Sequence, residues 1–186
     1  MKNKKTQFIV YSAVLAALYV VLTYAQNFLL PGSTTMAIQF RASEALCVFA
    51  FFTPAAIPGL TIGCLIFNVS NAAALPVDWL VGTVATLLAT FTMWKVRNVK
   101  IKNYPLLGLL MPAIFNAPIV GAELAFYLGE NGFTWQVFGL NSLQIFIFLM
   151  IIGIIQAIYY SYNGENVTTL SGFKKVIKRN YKNAIK

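Results

Sequence analysis

Gln39-Phe-Arg-Ala-Ser-Glu44, Phe52-Thr-Pro-Ala-Ala-Ile-Pro-Gly59 and Leu75-Pro-Val-Asp-Trp79 are pieces of one stretch, with Asn68 and Asn71 between the second and third. The stretch sets an arginine, two carboxylates and two carboxamides at or inside apolar segments. Polar groups of this kind are costly in hydrocarbon, so each is a functional hypothesis by default. The reading that explains them together is a small-molecule site whose floor and one wall this stretch supplies.

The chain around it is greasy. Of 186 residues, 59% are hydrophobic and 10% charged, and the mean hydropathy is +0.71. A soluble domain carries about 25% charged residues. The composition therefore predicts an all-α integral membrane protein. There is no histidine, which excludes a histidine metal centre or proton relay. Cys47 and Cys64 lie in apolar runs without metal spacing and read as packed membrane cysteines. No metal or cofactor site is expected.

Apolar length and breakers divide the chain into six spans in a single membrane domain, at about 8–29, 41–52, 55–71, 76–96, 104–128 and 141–162. The first is too long for the apolar core of a signal peptide, which runs about 7–15 residues. Pro31-Gly32-Ser33 marks a loop, Thr53-Pro54 and Pro58-Gly59 break the second span from the third, and Gly129 to Gly139 reads as a loop. Pro112 and Pro118 predict kinks in the fifth span. The tail, 170–186, spaces Leu170, Phe173, Ile177, Tyr181 and Ile185 among lysines and reads as a basic amphipathic helix on the membrane surface.

Charge gives the orientation. The net charge is +9, and 13 of the 14 Lys and Arg residues fall at the N-terminus, between the fourth and fifth spans, and in the C-terminal tail. Six spans put those three segments on one side, which the positive-inside rule makes cytoplasmic. The lysines then contact lipid headgroups of a bacterial cell membrane. Nucleic acid is not expected, because no aromatic platform or groove motif accompanies the basic residues.

Arg41 is the exception and lies on the outer side. Depth along the spans brings other polar groups to that level: Glu44 one turn from Arg41, Asn68 near the end of the third span, and Asp78 with Trp79 opening the fourth. In the fifth, Glu123 lies about 28 Å beyond Tyr104, with Asn116 near the middle. Arg41 with Glu44 also fits an interfacial ion pair, Asp78 a helix N-terminal charge and Asn68 an interhelical hydrogen bond. Glu123, between Ala122 and Leu124, has no such simple explanation. Phe40, Trp79, Tyr127 and Trp135 sit near the same level and fit either an aromatic belt or the site. Carboxylates, amides and ring faces suit a flat, hydrogen-bonding, cationic ligand. On the first span, Ser12/Ala16 and Ala13/Ala17 form small-residue strips that allow close helix approach. No nucleotide-binding loop, nucleophile–base pair or metal constellation is present, so the chain is not expected to be an enzyme.

At these residues the chain resembles the QueT family of substrate-binding S-components of energy-coupling factor (ECF) transporters. The resemblance rests on Ala13-Val-Leu-Ala-Ala-Leu-Tyr19, Gln39-Phe-Arg-Ala-Ser-Glu-Ala-Leu46, Phe52-Thr-Pro-Ala-Ala-Ile-Pro-Gly-Leu60 with Ile62-Gly-Cys-Leu-Ile-Phe-Asn68, Asp78 with Gly82-Thr-Val-Ala-Thr-Leu-Leu88, and Asn116-Ala-Pro-Ile-Val-Gly-Ala-Glu-Leu124. It runs through the first five spans in order and departs at Trp79 and at Ile155-Gln156. It implies a six-helix S-component fold with both termini cytoplasmic, capturing a 7-deazaguanine queuosine precursor such as preQ1 or queuine. It further implies docking through Ala13, Ala17, Ser12 and Ala16 onto a membrane T subunit driven by two cytoplasmic ATPases. Glu123 or Glu44 would take the guanine-like edge, with Arg41, Asn68, Asn116, Asp78 and Trp79 around it. An S-component for another vitamin or small heterocycle, a stand-alone secondary transporter and a small membrane enzyme remain alternatives.

Overall fold

The computed structural model describes residues 4–34, 41–72, 74, 76–99, 105–128 and 134–163. All described regular structure is helical: α1 (Lys4–Leu29), a 3₁₀ segment (Ala42–Phe51), α2 (Ala56–Ser70), α3 (Asp78–Val96), α4 (Leu106–Leu128) and α5 (Trp135–Asn163). Among the described residues, four stretches are long and apolar enough to cross a membrane: Lys4–Leu29, Asp78–Val96, Leu106–Tyr127 and Trp135–Ile155. The 3₁₀ segment and α2 are apolar but shorter. The amphipathic tail at 170–186 and the Phe40 ring lie outside the described residues.

Neighbours in sequence are neighbours in space. α1 packs on α2, α2 on α3, α3 on α4 and α4 on α5, while the 3₁₀ segment touches each of the α-helices. It is therefore the inner element about which the others are arranged. Its winding explains how it serves them all. Arg41, Glu44, Cys47 and Ala50 are spaced by three, and all are buried. At 3.0 residues per turn such residues stack in one row, whereas an α-helix would turn Ala50 about 180° from Arg41. The polar start of the row faces a polar cluster, and its apolar end joins a core of Tyr19, Phe51, Leu60, Cys64, Met93 and Leu109. A second core, built on Ala85, Ala113, Ala117, Val120, Leu124 and Ile145, joins α3, α4 and α5.

Two details differ from the expectations. The second element is a 3₁₀ segment where the sequence suggests an ordinary helix. The last helix starts at Trp135, inside the segment 129–139 expected to be a loop. α4 includes both Pro112 and Pro118, and between them Asn116 Nδ2 donates back to the Pro112 carbonyl at 3.0 Å.

The two small-residue strips of α1 have different fates. Ser12 donates to the Ala55 carbonyl at 3.0 Å, and Ala16 is buried. Opposite them lie Gly59 and Gly63 of α2. A methyl group at Gly63 would come within 2.8 Å of Tyr19 Cβ and 2.9 Å of the Ala16 carbonyl oxygen. The helices thus approach backbone to backbone, as small residues spaced by four permit. Ala13 and Ala17 are exposed and help line an open apolar groove of about 720 Å³ with Phe8, Val20, Pro58 and Ile62.

Candidate functional site: a buried polar cluster beside the 3₁₀ segment

Four acidic or basic side chains are buried among the described residues: Arg41, Glu44, Asp78 and Glu123. Each comes from a different place in the fold: the residue capping the 3₁₀ segment, the segment itself, the first turn of α3, and α4. Burying a charge costs several kcal/mol unless it is paired or hydrogen-bonded. The partners of each therefore reveal its role.

Glu44 is fully engaged. Its Oε1 accepts from Tyr19 Oη at 2.8 Å and from Thr86 Oγ1 at 3.3 Å. Its Oε2 accepts from Cys47 Sγ at 3.3 Å. Thr86 also reaches the Gly82 carbonyl at 3.0 Å, so one hydroxyl proton is shared between two acceptors. Nearby, Thr23 Oγ1 and Ser43 Oγ bond at 2.8 Å. These contacts tie α1, the 3₁₀ segment and α3 together through one carboxylate. Hydrogen bonds to a charged group are worth roughly 1.5–3 kcal/mol each, so Glu44 acts as a structural clasp.

Arg41 turns away from Glu44. Its Nη2 donates to the Thr34 carbonyl at 3.4 Å, its Nη1 approaches Cys64 Sγ at 3.5 Å, and its guanidinium lies 5.5 Å from the centre of the Phe67 ring. These are long contacts for a five-donor fork. Asn68, fully buried, donates from Nδ2 to the Asp78 carbonyl at 2.8 Å, and its Oδ1 has no protein partner.

Glu123 has the opposite character to Glu44. It is 6% exposed, and neither carboxylate oxygen accepts a hydrogen bond from the protein. The charged groups facing it are Asp78 and Arg41. Arg41, Asn68, Asp78 and Glu123 thus form one cluster, which offers a guanidinium fork together with the unpartnered oxygens of Asn68 and Glu123. Such a set suits a ligand that is rich in N–H donors and also carries an acceptor.

The remaining candidates are placed differently. Asn116 is buried, but its amide donor is engaged within α4. Trp79, Tyr127 and Trp135 are all exposed, at 41%, 42% and 76%. The ring that belongs to the cluster is Phe67, which the sequence reading passed over. It also missed Tyr19, Thr23, Ser43, Cys64, Gly82 and Thr86. One signal was available, since Asp78, Gly82, Thr86 and Thr90 follow at intervals of four and give α3 a small, polar face. Among the described residues no group of three or more Cys, Asp or Glu side chains could hold a metal ion.

Long apolar helices enclosing a cluster of ionisable side chains define a helical membrane protein with an internal polar site. The QueT transporter family matches residues 9–162. The chain belongs to that family, and its work is membrane transport. A curated relative, the queuosine precursor transporter QueT of Lactococcus lactis subsp. cremoris (strain MG1363), is 43% identical over 91 residues, which is 47% of this chain and 50% of the relative. The match therefore spans half the length of that relative. No solved structure matches the chain.

Proposed function

We propose that this chain is the substrate-binding subunit of an ATP-driven ECF importer and captures a 7-deazaguanine queuosine precursor, preQ1 or queuine, from outside the cell. The observation that carries the reading is Glu123, a carboxyl group buried in α4 whose oxygens accept no hydrogen bond from the protein, beside Arg41, Asn68 and Asp78. A guanine-like edge presents two N–H groups side by side, which a carboxylate accepts as a pair. Its carbonyl suits Arg41, and the amine of preQ1 or queuine suits Asp78. Glu44, engaged by Tyr19, Thr86 and Cys47, holds the site together and leaves Glu123 as the ligand's carboxylate. The name of the Lactococcus relative supports the ligand class.

In this reading the chain spans the bacterial plasma membrane six times with both termini cytoplasmic, and the 3₁₀ segment and α2 complete the count. Ala13 and Ala17 take the membrane T subunit of a module powered by two ATPases. Mass spectrometry of ligand released from the detergent-purified protein tests the substrate, with a 7-deazaguanine mass as the expected result. A different heterocycle would overturn the ligand class. Uptake that persists in cells lacking the ATPases would overturn the importer.

A further inference from the structure

Asn68 lies near the C-terminal end of α2 and is held from one side. Its Nδ2 donates to the Asp78 carbonyl at 2.8 Å and approaches Cys64 Sγ at 3.7 Å. A main-chain carbonyl only accepts, so the group facing it is the NH₂, and chemistry settles the orientation of the amide. The oxygen is left on the other side of the carboxamide, buried and without a protein partner. Behind the amide stands the backbone of α3 at Gly82. A methyl group there would lie 3.1 Å from Asn68 Nδ2, 3.7 Å from Arg41 Nη1 and 4.0 Å from Cys64 Sγ. The first distance is too short for carbon against nitrogen without movement of the amide. Gly82 is thus the bare wall against which the Asn68 amide rests, while Arg41 and Cys64 lie at ordinary contact distance from it.

We propose that Asn68 is a specificity-determining residue that reads a ligand N–H, and that Gly82 is the positioning residue that holds it in that role. The proposal rests on the polar cluster being the substrate site. Its chemical content is a polarity rule. The unpartnered groups of Glu123 and Asn68 are all acceptors once Asn68 Nδ2 is fixed on Asp78, and Arg41 supplies the donors. A ligand that fits brings N–H groups to both acceptors. One that turns a ring-nitrogen lone pair toward Asn68 Oδ1 is rejected, because two acceptors then face each other in a buried place.

The test is calorimetric titration of detergent-purified wild type, Asn68→Ala, Gly82→Ala and the double variant with 7-aminomethyl-7-deazaguanine. Each single variant is expected to bind roughly tenfold more weakly, the scale of one lost hydrogen bond. The double variant should bind no more weakly than Asn68→Ala alone, because Gly82 acts only through that amide. The ligand-free unfolding midpoint of Asn68→Ala should fall by a few degrees, because its bond to the Asp78 carbonyl is lost, and every titration is run well below the midpoints. Wild-type affinity in Gly82→Ala, or losses that multiply in the double variant, would overturn the role of Gly82. Singly N-methylated analogues of the base test Asn68 independently of Gly82. One of them should lose affinity for wild type but not for Asn68→Ala, and equal losses in both proteins would overturn the reading of an N–H. If wild type binds no 7-deazaguanine, the substrate assignment itself falls and this proposal falls with it.

Discussion

Glu44 and Glu123 are two buried carboxylates less than a tenth exposed, yet exchanging each for glutamine should have opposite effects on stability. At Glu44, three donors converge on the two oxygens: Tyr19 Oη, Thr86 Oγ1 and Cys47 Sγ. Glutamine keeps one oxygen and replaces the other with an NH₂. Whichever way the amide turns, at least one donor faces a donor, and the surviving bonds lose their charge. The cost of a buried unsatisfied partner is about 1–3 kcal/mol. If Tyr19 is the partner lost, the value belongs at the upper end, because its bond is the shortest of the three. At Glu123 no protein donor is lost, and an acid crowded against Asp78 is replaced by a neutral amide, which stabilises by about 1 kcal/mol or more. Thermal unfolding in detergent without ligand reads both effects. Glu44→Gln should unfold several degrees below wild type, at about 2–4 °C per kcal/mol for a chain of this size, and Glu123→Gln should unfold no lower than wild type. Ligand binding should fail in Glu123→Gln. A Glu44→Gln variant as stable as wild type, or a destabilised Glu123→Gln, would refute the division of labour between the two residues.

Other outcomes follow from single contacts. Tyr19→Phe removes one hydroxyl and no packing volume, and should lower unfolding stability by about 1.5–3 kcal/mol, with a smaller loss in a Glu44→Gln background, where the bond no longer ends on a charge. Gly63→Leu forces α1 and α2 apart where Tyr19 Cβ and the Ala16 carbonyl leave no room, and a loss of 1–3 kcal/mol or more, typical of overpacking, is expected in the same assay. Ala17→Leu places a large side chain in the exposed groove. Its unfolding midpoint should match wild type, while co-purification with a T subunit and its ATPases should be lost.

Much of the site was legible because lipid makes polarity conspicuous. Glu123 between Ala122 and Leu124, Asp78 after Pro76, and Asn68 in an apolar run stand out without any contact information. The division between Glu44 and Glu123 was not legible, because it depends on Tyr19 and Thr86, which lie 25 and 42 residues from Glu44. Only packing brings them to one carboxylate. The 3₁₀ winding was also hidden. Ala42 to Phe51 contains neither proline nor glycine, and spacing by three is compatible with a helix until the burial of Ala50 opposite Arg41 must be explained. The strips on α1 were visible, but which one is covered was decided by Gly59 and Gly63. Those glycines are spaced by four like the strip they meet, although the first also looked like part of a Pro-Gly break. The start of the last helix at Trp135 was obscured by Gly139, a residue that an α-helix tolerates at a cost of about 1 kcal/mol.

The winding of the 3₁₀ segment also has a consequence for reach. Ten residues at about 2.0 Å each extend about 20 Å, and the same residues as an α-helix would extend about 15 Å. The segment therefore carries about 5 Å of length that rewinding would take up. Rewinding would also swing Cys47 and Ala50 out of line with Glu44 and draw Phe52 toward Arg41. The bonds from Tyr19 and Thr86 to Glu44 oppose both movements. They act as a stay at one end of an extended strut, keeping the inner element at full length between the helices that surround it.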